Sequence, residues 1–111
     1  MSIRAGTPND IVNQVLAYLR LRGVMAWRNN TTGVYDTVRK VFRTFHGRKG
    51  VSDVMGVLPG GKIICVECKS GTGKLTKEQA AFIDEINAAG GLAFCTKDVR
   101  EVQRIIEEEM P

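Results

Sequence analysis

The sequence lacks the long apolar segments that mark membrane and secreted proteins. None of its apolar runs approaches the roughly 18 residues that a transmembrane helix needs. Residues 1–8 show no apolar stretch of the kind found in a signal peptide. The cysteines are odd in number, which argues against a disulfide framework; they are Cys65, Cys68 and Cys95. These absences predict a cytoplasmic protein with no membrane partner.

Repeats, low-complexity tracts and linkers are also absent from the 111 residues. A chain of this length is large enough for one hydrophobic core and too small for two. The apolar fraction of 43% and the charged fraction of 25% are those of an ordinary globular protein. We therefore expect a single domain over residues 1–111.

Two ligand-binding motifs are incomplete in this sequence. Cys65 and Cys68 have the spacing of a zinc half-site, but on a strand they face opposite ways and no second Cys/His pair exists. Residues 70–74, Ser-Gly-Thr-Gly-Lys, suggest a phosphate-binding loop. The Walker pattern fails there, because Cys68 stands in place of Gly and Leu75 in place of Ser or Thr. A zinc site and a small NTPase are both disfavoured.

Acidic residues are scarce between Arg20 and Gly50, where Asp36 is the only one. The same segment contains a concentration of basic residues: Arg20, Arg22, Arg28, Arg39, Lys40, Arg43, Arg48 and Lys49. Such a region suits the phosphate backbone of a nucleic acid. From charge alone, a solvated basic face explains it equally well.

Helix signals occur at three places. Thr7-Pro8-Asn9-Asp10 predicts a helix start, with a capping Thr, a Pro at the first helical position and an acid three residues after the cap. This helix should end at Gly23. A second capping box, Thr76 to Gln79, opens a helix that stops at Gly90-Gly91, and Asp98 begins the last helix.

Strand signals fill most of the remaining chain. We predict strands at Val24–Trp27, Val51–Leu58, Lys62–Lys69 and Leu92–Thr96, and a basic strand or ribbon at Val38–Phe45. Asn29 to Gly33 reads as a loop, and so do residues 70–75. Trp27 is interpreted as a core residue, with stacking on a base as the alternative. The fold class is α/β, a mixed α+β sheet flanked by helices.

The central hairpin carries the candidate chemistry. If Leu58 pairs with Lys62 around Pro59-Gly60-Gly61, Asp53 lies opposite Glu67 with Cβ atoms about 5 Å apart. Like charges that face each other destabilise a sheet unless a cation lies between them. The two carboxylates and the backbone carbonyl of Cys68 offer hard oxygen ligands for Mg²⁺ or Mn²⁺. Lys69, on the same face as Glu67, could stabilise charge that develops on a phosphate under hydrolysis.

These residues resemble a known family. Gly50-Val51-Ser52-Asp53, then Glu67-Cys68-Lys69, then the helix-borne Gln79 are similar to the PD-(D/E)xK nuclease superfamily. The closer resemblance is to its virus-type replication-repair nuclease (VRR-NUC) domain. Three stretches carry it, over about residues 10 to 97: Trp27 to Asn30, Gly47 to Asp53 and Gly73 to Gln79.

The resemblance implies a restriction-endonuclease-like fold and a metal-dependent deoxyribonuclease of a bacterial or phage-infected cell. It implies catalytic roles for Asp53, Glu67, Lys69 and Gln79. The family usually has a metal-facing Glu in the first helix; the nearest acid here is Asp10, which the helix cap also explains. DNA contacts are predicted at Arg28, Arg39, Lys40, Arg43, Arg48, Lys49 and Lys74. His46 is read as a DNA-contacting or structural side chain.

The substrate stays open at this point. Stand-alone domains of this kind are expected, from the family, to form homodimers that resolve four-way DNA junctions. The alternatives are a monomer that trims flaps or ends and a DNA-binding module without catalysis.

Overall fold

The computed structural model describes residues 6–29, 34–43 and 47–111. Its helices are α1 (Pro8–Leu21), α2 (Lys77–Ala88) and α3 (Val99–Glu109). Its strands are β1 (Met25–Arg28), β2 (Val34–Asp36), β3 (Val41–Arg43), β4 (Val54–Val57), β5 (Ile63–Cys68) and β6 (Leu92–Thr96). The mixed α+β architecture is the predicted fold class.

Both predicted capping boxes are present. In α1, the Thr7 hydroxyl accepts the Asp10 N–H at 3.2 Å, and the Asp10 carboxylate accepts the Thr7 N–H at 3.0 Å. Thr76 and Gln79 make the equivalent pair of bonds at the start of α2. Gly23, with a φ of 76°, follows the end of α1 in the left-handed region that ends many helices. The predicted helix boundaries are therefore confirmed to within a few residues.

The main sheet has four strands in the order β1-β4-β5-β6. β1, β4 and β5 are antiparallel neighbours, and β6 runs parallel to β5. Val54 pairs with Val66 and Val57 with Ile63, which is the register predicted from the turn. The turn itself is closed by the Leu58 N–H, which donates to the Lys62 carbonyl at 2.8 Å.

Helices cover both faces of this sheet. α1 and α3 bury one face, where Ile64, Val66 and Cys68 of β5 belong to the larger core cluster. α2 covers the opposite face, where Cys65 packs with Phe82 and Ile83. The alternation predicted along β5 is confirmed, and it places the Glu67 side chain on the α2 face.

The strand or ribbon predicted at Val38–Phe45 is present only in part: β3 covers Val41–Arg43, and residues 44 and 45 lie outside the described residues. Residues 34–43 form a separate two-stranded sheet, the β2–β3 hairpin, in which residues 37–40 make the turn. The Asp36 carboxylate accepts the N–H groups of Val38 and Arg39, each at 3.0 Å, and Lys40 has a φ of 56°. A side-chain bond of this kind competes with the strand ladder and favours a turn.

Other expectations need smaller corrections. Trp27 is 40% exposed and belongs to neither core cluster, so its interpretation as a core residue is wrong. The strand predicted at Val51–Leu58 is shorter, since regular pairing begins only at Val54. The expectations for Asn30 to Gly33 and for His46 lie outside the described residues. In the described part of the chain, no helix is both long and apolar enough to cross a bilayer.

Candidate active site

Glu67 is a carboxylate placed inside the protein. β5 positions it on the α2 face, where its side chain is only 3% exposed. Its Oε1 accepts a hydrogen bond from Gln79 Nε2 at 3.0 Å and lies 3.7 Å from Lys69 Nζ. Its Oε2 is buried and finds no hydrogen-bond partner among the described residues. Since buried polar atoms are rarely left unsatisfied, this oxygen is a candidate position for a ligand.

Asp53 lies opposite Glu67, one residue before β4. Continuing the register Val54 to Val66 by one position pairs the two acids. Asp53 Oδ2 accepts the backbone N–H of Cys68 at 2.9 Å, and its carbonyl accepts the Asn29 N–H at 2.8 Å. The side chain is thus held against the end of β5 by a neighbouring backbone group. In an extended strand the N–H and C=O of one residue point to the same side, so the Cys68 carbonyl is directed toward Asp53.

The electrostatics of the acidic pair would favour a bound cation. Burial and, after it, the neighbouring Asp53 carboxyl together raise the pKa of Glu67 to about 8, although the Lys69 ammonium acts in the opposite direction. A buried carboxylate beside a second carboxylate costs free energy when both are ionised. A bound divalent cation would remove that cost.

Gln79 performs two functions with one side chain. Its Oε1 accepts the Thr76 N–H at 2.9 Å and completes the capping box of α2. Its Nε2 donates to Glu67 Oε1 at 3.0 Å. The sequence alone left open whether Gln79 is a helix-capping residue or a site residue. In the structure, the Gln79 side chain that caps α2 also directs its amide nitrogen toward Glu67. This bond fixes one oxygen of Glu67 and leaves the other available.

Gly50 and Arg48 fasten the loop before Asp53 to α2. Gly50 has a φ of +87°, and a Cβ there would lie 2.4 Å from the Glu78 carbonyl carbon and oxygen. Arg48 makes an ion pair with Glu85 and places its guanidinium carbon 5.3 Å from the centroid of the Phe82 ring. The helix that carries Gln79 and the loop that carries Asp53 are therefore in direct contact. Sequence reasoning missed this role of Gly50, because a glycine reveals a close approach only when its neighbour is known.

Asp10 occupies the helix cap. Its carboxylate accepts the N–H and the hydroxyl of Thr7, and these bonds lower its pKa. The adjacent Asn9 accepts a hydrogen bond from Arg28 at the end of β1. The start of α1 therefore lies next to the end of β1. No contact described in the structure joins Asp10 to Asp53 or Glu67. Its role as a metal ligand stays a prediction.

A metal ion at this site would have few protein ligands. Within residues 6–29, 34–43 and 47–111, no group of three or more His, Cys, Asp or Glu side chains is arranged to hold a metal. Asp53, Glu67 and the Cys68 carbonyl are the available donors. Mg²⁺ is commonly bound through one or two carboxylates and keeps water or substrate phosphate as its other ligands. The residues present, with the unpartnered Oε2 of Glu67, fit such an ion.

The predicted DNA contacts fall into two groups. Arg28 and Arg48 already have partners in Asn9 and Glu85. Exposed basic residues make up the other group: Arg39 and Lys40 in the turn of the β2–β3 hairpin, Lys49 in the loop before Asp53, and Lys74 in the loop before α2. Arg43 ends β3, and its side chain lies outside the described part.

Comparison with known proteins gives a family match. No curated protein matches the chain at a significant level. The sequence model of the VRR-NUC domain matches residues 13–98 of the 111 residues. The matched span runs from α1 through the hairpin and α2 to the end of β6, and so contains Asp53, Glu67, Lys69 and Gln79. The chain therefore belongs to the VRR-NUC domain family, and this membership implies a nuclease.

Proposed function

We propose that this protein is a Mg²⁺- or Mn²⁺-dependent deoxyribonuclease that hydrolyses phosphodiester bonds in branched DNA. One observation carries the proposal. Glu67, almost fully buried and opposite Asp53, keeps an oxygen without a hydrogen-bond partner in the described structure. A purely structural carboxylate would be expected to use both oxygens or to remain in water.

Each side chain has a distinct task in this proposal. Asp53 and Glu67 would hold the cation, with the Cys68 carbonyl as a third donor. When bound, a divalent cation supplies an activated water and compensates negative charge on the phosphate. Lys69 lies on the same face as Glu67, with its Nζ 3.7 Å from Glu67 Oε1. Its side chain is mostly buried, with 18% exposed. It would contact the scissile phosphate and stabilise charge in the transition state. Gln79 would position Glu67 through its amide.

The substrate proposal rests on the basic segment and on symmetry. Basic side chains without sequence-reading helices favour recognition of the DNA backbone and its shape over recognition of bases. One active site cuts one strand, so paired cuts in a four-way junction need two copies, and a two-fold dimer is the commonest arrangement. We therefore propose a homodimer that resolves Holliday junctions. The rival proposals are a monomer that processes flaps or ends and a non-catalytic DNA-binding module.

A panel of DNA substrates tests these proposals. Immobile four-way junctions, 5′ flaps and linear duplexes are incubated with the protein in Mn²⁺ or Mg²⁺, and in EDTA. Paired nicks in opposite junction arms that vanish in EDTA would support the resolvase, and light scattering should then show a dimer. Cleavage restricted to flaps by a monomer would favour the first rival. Binding without cleavage under any metal condition would favour the second.

A further inference from the structure

The β2–β3 hairpin, residues 34–43, stands apart from the rest of the described structure. Among the described helices and strands, β2 and β3 approach only each other. An isolated two-stranded hairpin is marginally stable in water, because it has no third strand or helix on which to bury its apolar side chains. A hairpin of this kind gains stability from a binding partner.

An aromatic pair lies on one face of this hairpin. Tyr35 is directly opposite Phe42 in the register, so the two rings project from the same face. Tyr35 is 54% exposed and Phe42 is 65% exposed. Directly opposed residues have Cβ atoms about 5 Å apart, which brings the two rings side by side. Large aromatic side chains left in water at adjacent positions indicate a contact surface.

Basic residues lie in the same hairpin as the aromatic pair. Arg39 and Lys40 are exposed in the turn. The sequence of the hairpin adds Arg43, against Asp36 as its single acid. The Asp36 carboxylate accepts the N–H groups of Val38 and Arg39 and so contributes to the turn. The hairpin presents cations and aromatic rings together.

The hairpin follows, in the chain, the end of β1 that contacts the Asp53 backbone. It lies in the chain between β1 and β4, the two strands that end at Arg28 and begin at Val54. Asn29, which follows β1, donates its N–H to the carbonyl of Asp53. Four residues separate Asn29 from the start of β2 at Val34, so the Cα atoms of Asn29 and Val34 lie within about 18 Å of each other.

We propose that Tyr35 and Phe42 form a platform on which unpaired bases stack at the branch point of the DNA substrate. This inference rests on the proposed function, since it names the part of the substrate that the hairpin recognises. Base stacking on aromatic rings needs no particular base, and flanking cations hold the adjacent phosphates. A second copy of the chain fits this surface less well, because symmetric docking would bring two basic turns together.

The test uses two double variants of the full chain. Tyr35→Ser with Phe42→Ser removes the platform, and Tyr35→Leu with Phe42→Leu keeps apolar bulk without the rings. Val41→Ser is the matched control, because Val41 is exposed and pairs with Asp36 at the register position next to the aromatic pair. Its side chain therefore projects from the opposite face of the hairpin. Binding is measured in EDTA, without cleavage, on a branched DNA with 2-aminopurine at the branch point and on a continuous duplex.

We expect both double variants to bind the branched DNA at least about fivefold more weakly. They should lose the quenching of 2-aminopurine that stacking produces, whereas duplex binding and the melting temperature stay unchanged. Val41→Ser should behave as the wild type. Full affinity in the Leu variant would overturn the proposal, since a merely apolar contact tolerates leucine. If light scattering showed that the double variants differ from the wild type in particle mass, the proposal would be overturned in favour of an interface between two copies. Because no cleavage is involved, these results stand apart from whether the wild type is a nuclease.

Discussion

The candidate active site and the β2–β3 hairpin differ in how firmly the surrounding protein fixes their side chains. Asp53 lies just before β4, Glu67 on β5 and Gln79 on α2. Asp53 accepts the Cys68 N–H and Gln79 donates to Glu67, so each side chain is fixed by a named hydrogen bond. The β2–β3 hairpin contacts no other described helix or strand, and its large side chains face water. The first region would hold an ion in one geometry, and the second would be free to adapt to a partner.

This difference fits the chemistry that we propose for each region. Metal ligands need side chains locked by packing and by hydrogen bonds to their neighbours, because a small displacement changes the coordination. Contacts to a DNA backbone are made by long charged side chains that work from solvent and tolerate movement. Substitutions in the first region should therefore affect catalysis or folding strongly, and those in the second should affect binding gradually.

The largest effect is expected at the acidic pair. Glu67→Gln or Asp53→Asn keeps the shape of the side chain and removes the charge that would hold a cation. We expect each change to reduce the cleavage rate at least about a thousandfold in single-turnover assays. Binding to the same DNA in EDTA should stay within about twofold, since neither side chain belongs to the basic segment.

Glu78→Gln is the matched control for these two variants. Glu78 is an exposed acid in the first turn of α2, one residue before Gln79. Its change should leave cleavage near the wild-type rate. Cleavage by Glu67→Gln at the rate of this control would show that the buried acid is not part of the active site.

A large effect on folding is expected at Gly50. In Gly50→Ala the new Cβ would meet the Glu78 carbonyl at 2.4 Å on a backbone with a φ of +87°. We expect a loss of about 3 kcal/mol in the free energy of unfolding by urea denaturation. Gly60→Ala separates the two causes, because Gly60 has a φ of +99° but nothing within 4 Å of the new atom. That variant should lose about 1 kcal/mol, and an equal loss in both would remove the contact with α2 from the explanation.

A pair of variants separates the two bonds of Gln79. Gln79→Ala removes the amide that holds Glu67 and should lower the cleavage rate about 10- to 100-fold. Thr76→Ala removes the hydroxyl of the cap and leaves the Gln79 amide in place. We expect it to cost about 1 kcal/mol of stability with little change in cleavage. If both variants lose stability and neither loses activity, Gln79 is only a helix cap.

The smallest effects are expected in the basic segment. Arg39→Gln and Lys40→Gln should each lower the slope of log affinity against log salt by about one unit. Arg48→Gln should change the slope less, because Arg48 is already paired with Glu85 and lies over Phe82. DNA affinity measured from low to high salt gives the three slopes. A larger change for Arg48 than for Arg39 would mean that DNA displaces Glu85.

Local sequence patterns predicted much of this fold. Capping boxes at Thr7 and Thr76 located two helices, because side-chain caps act within four residues. The turn at residues 59–61 determined the register of β4 and β5, and with it the pairing of Asp53 with Glu67. Where a short-range interaction decides the structure, reading the sequence was sufficient.

The extent of the β2–β3 hairpin was not predicted because its local signals conflict: the hydrogen bonds of the Asp36 turn compete with a strand that the apolar residues also favour. Other features depend on contacts between distant segments and could not be predicted. Trp27 lies on an edge strand, and its exposure depends on how much of the sheet α2 covers. The contact of Gly50 with Glu78 joins segments 28 residues apart in the chain. These features depend on tertiary contacts, so no local sequence pattern predicts them.

The most direct test of the account is whether Asp53 and Glu67 together bind a divalent cation. Thermal unfolding is followed in EDTA and in millimolar Mn²⁺ or Mg²⁺, for the wild type and for the Asp53→Asn, Glu67→Gln double variant. A cation that binds the native pair stabilises the folded state, so the wild-type melting temperature should rise with metal concentration. The double variant should show no rise. An equal rise in both proteins would place the ion elsewhere and contradict the account.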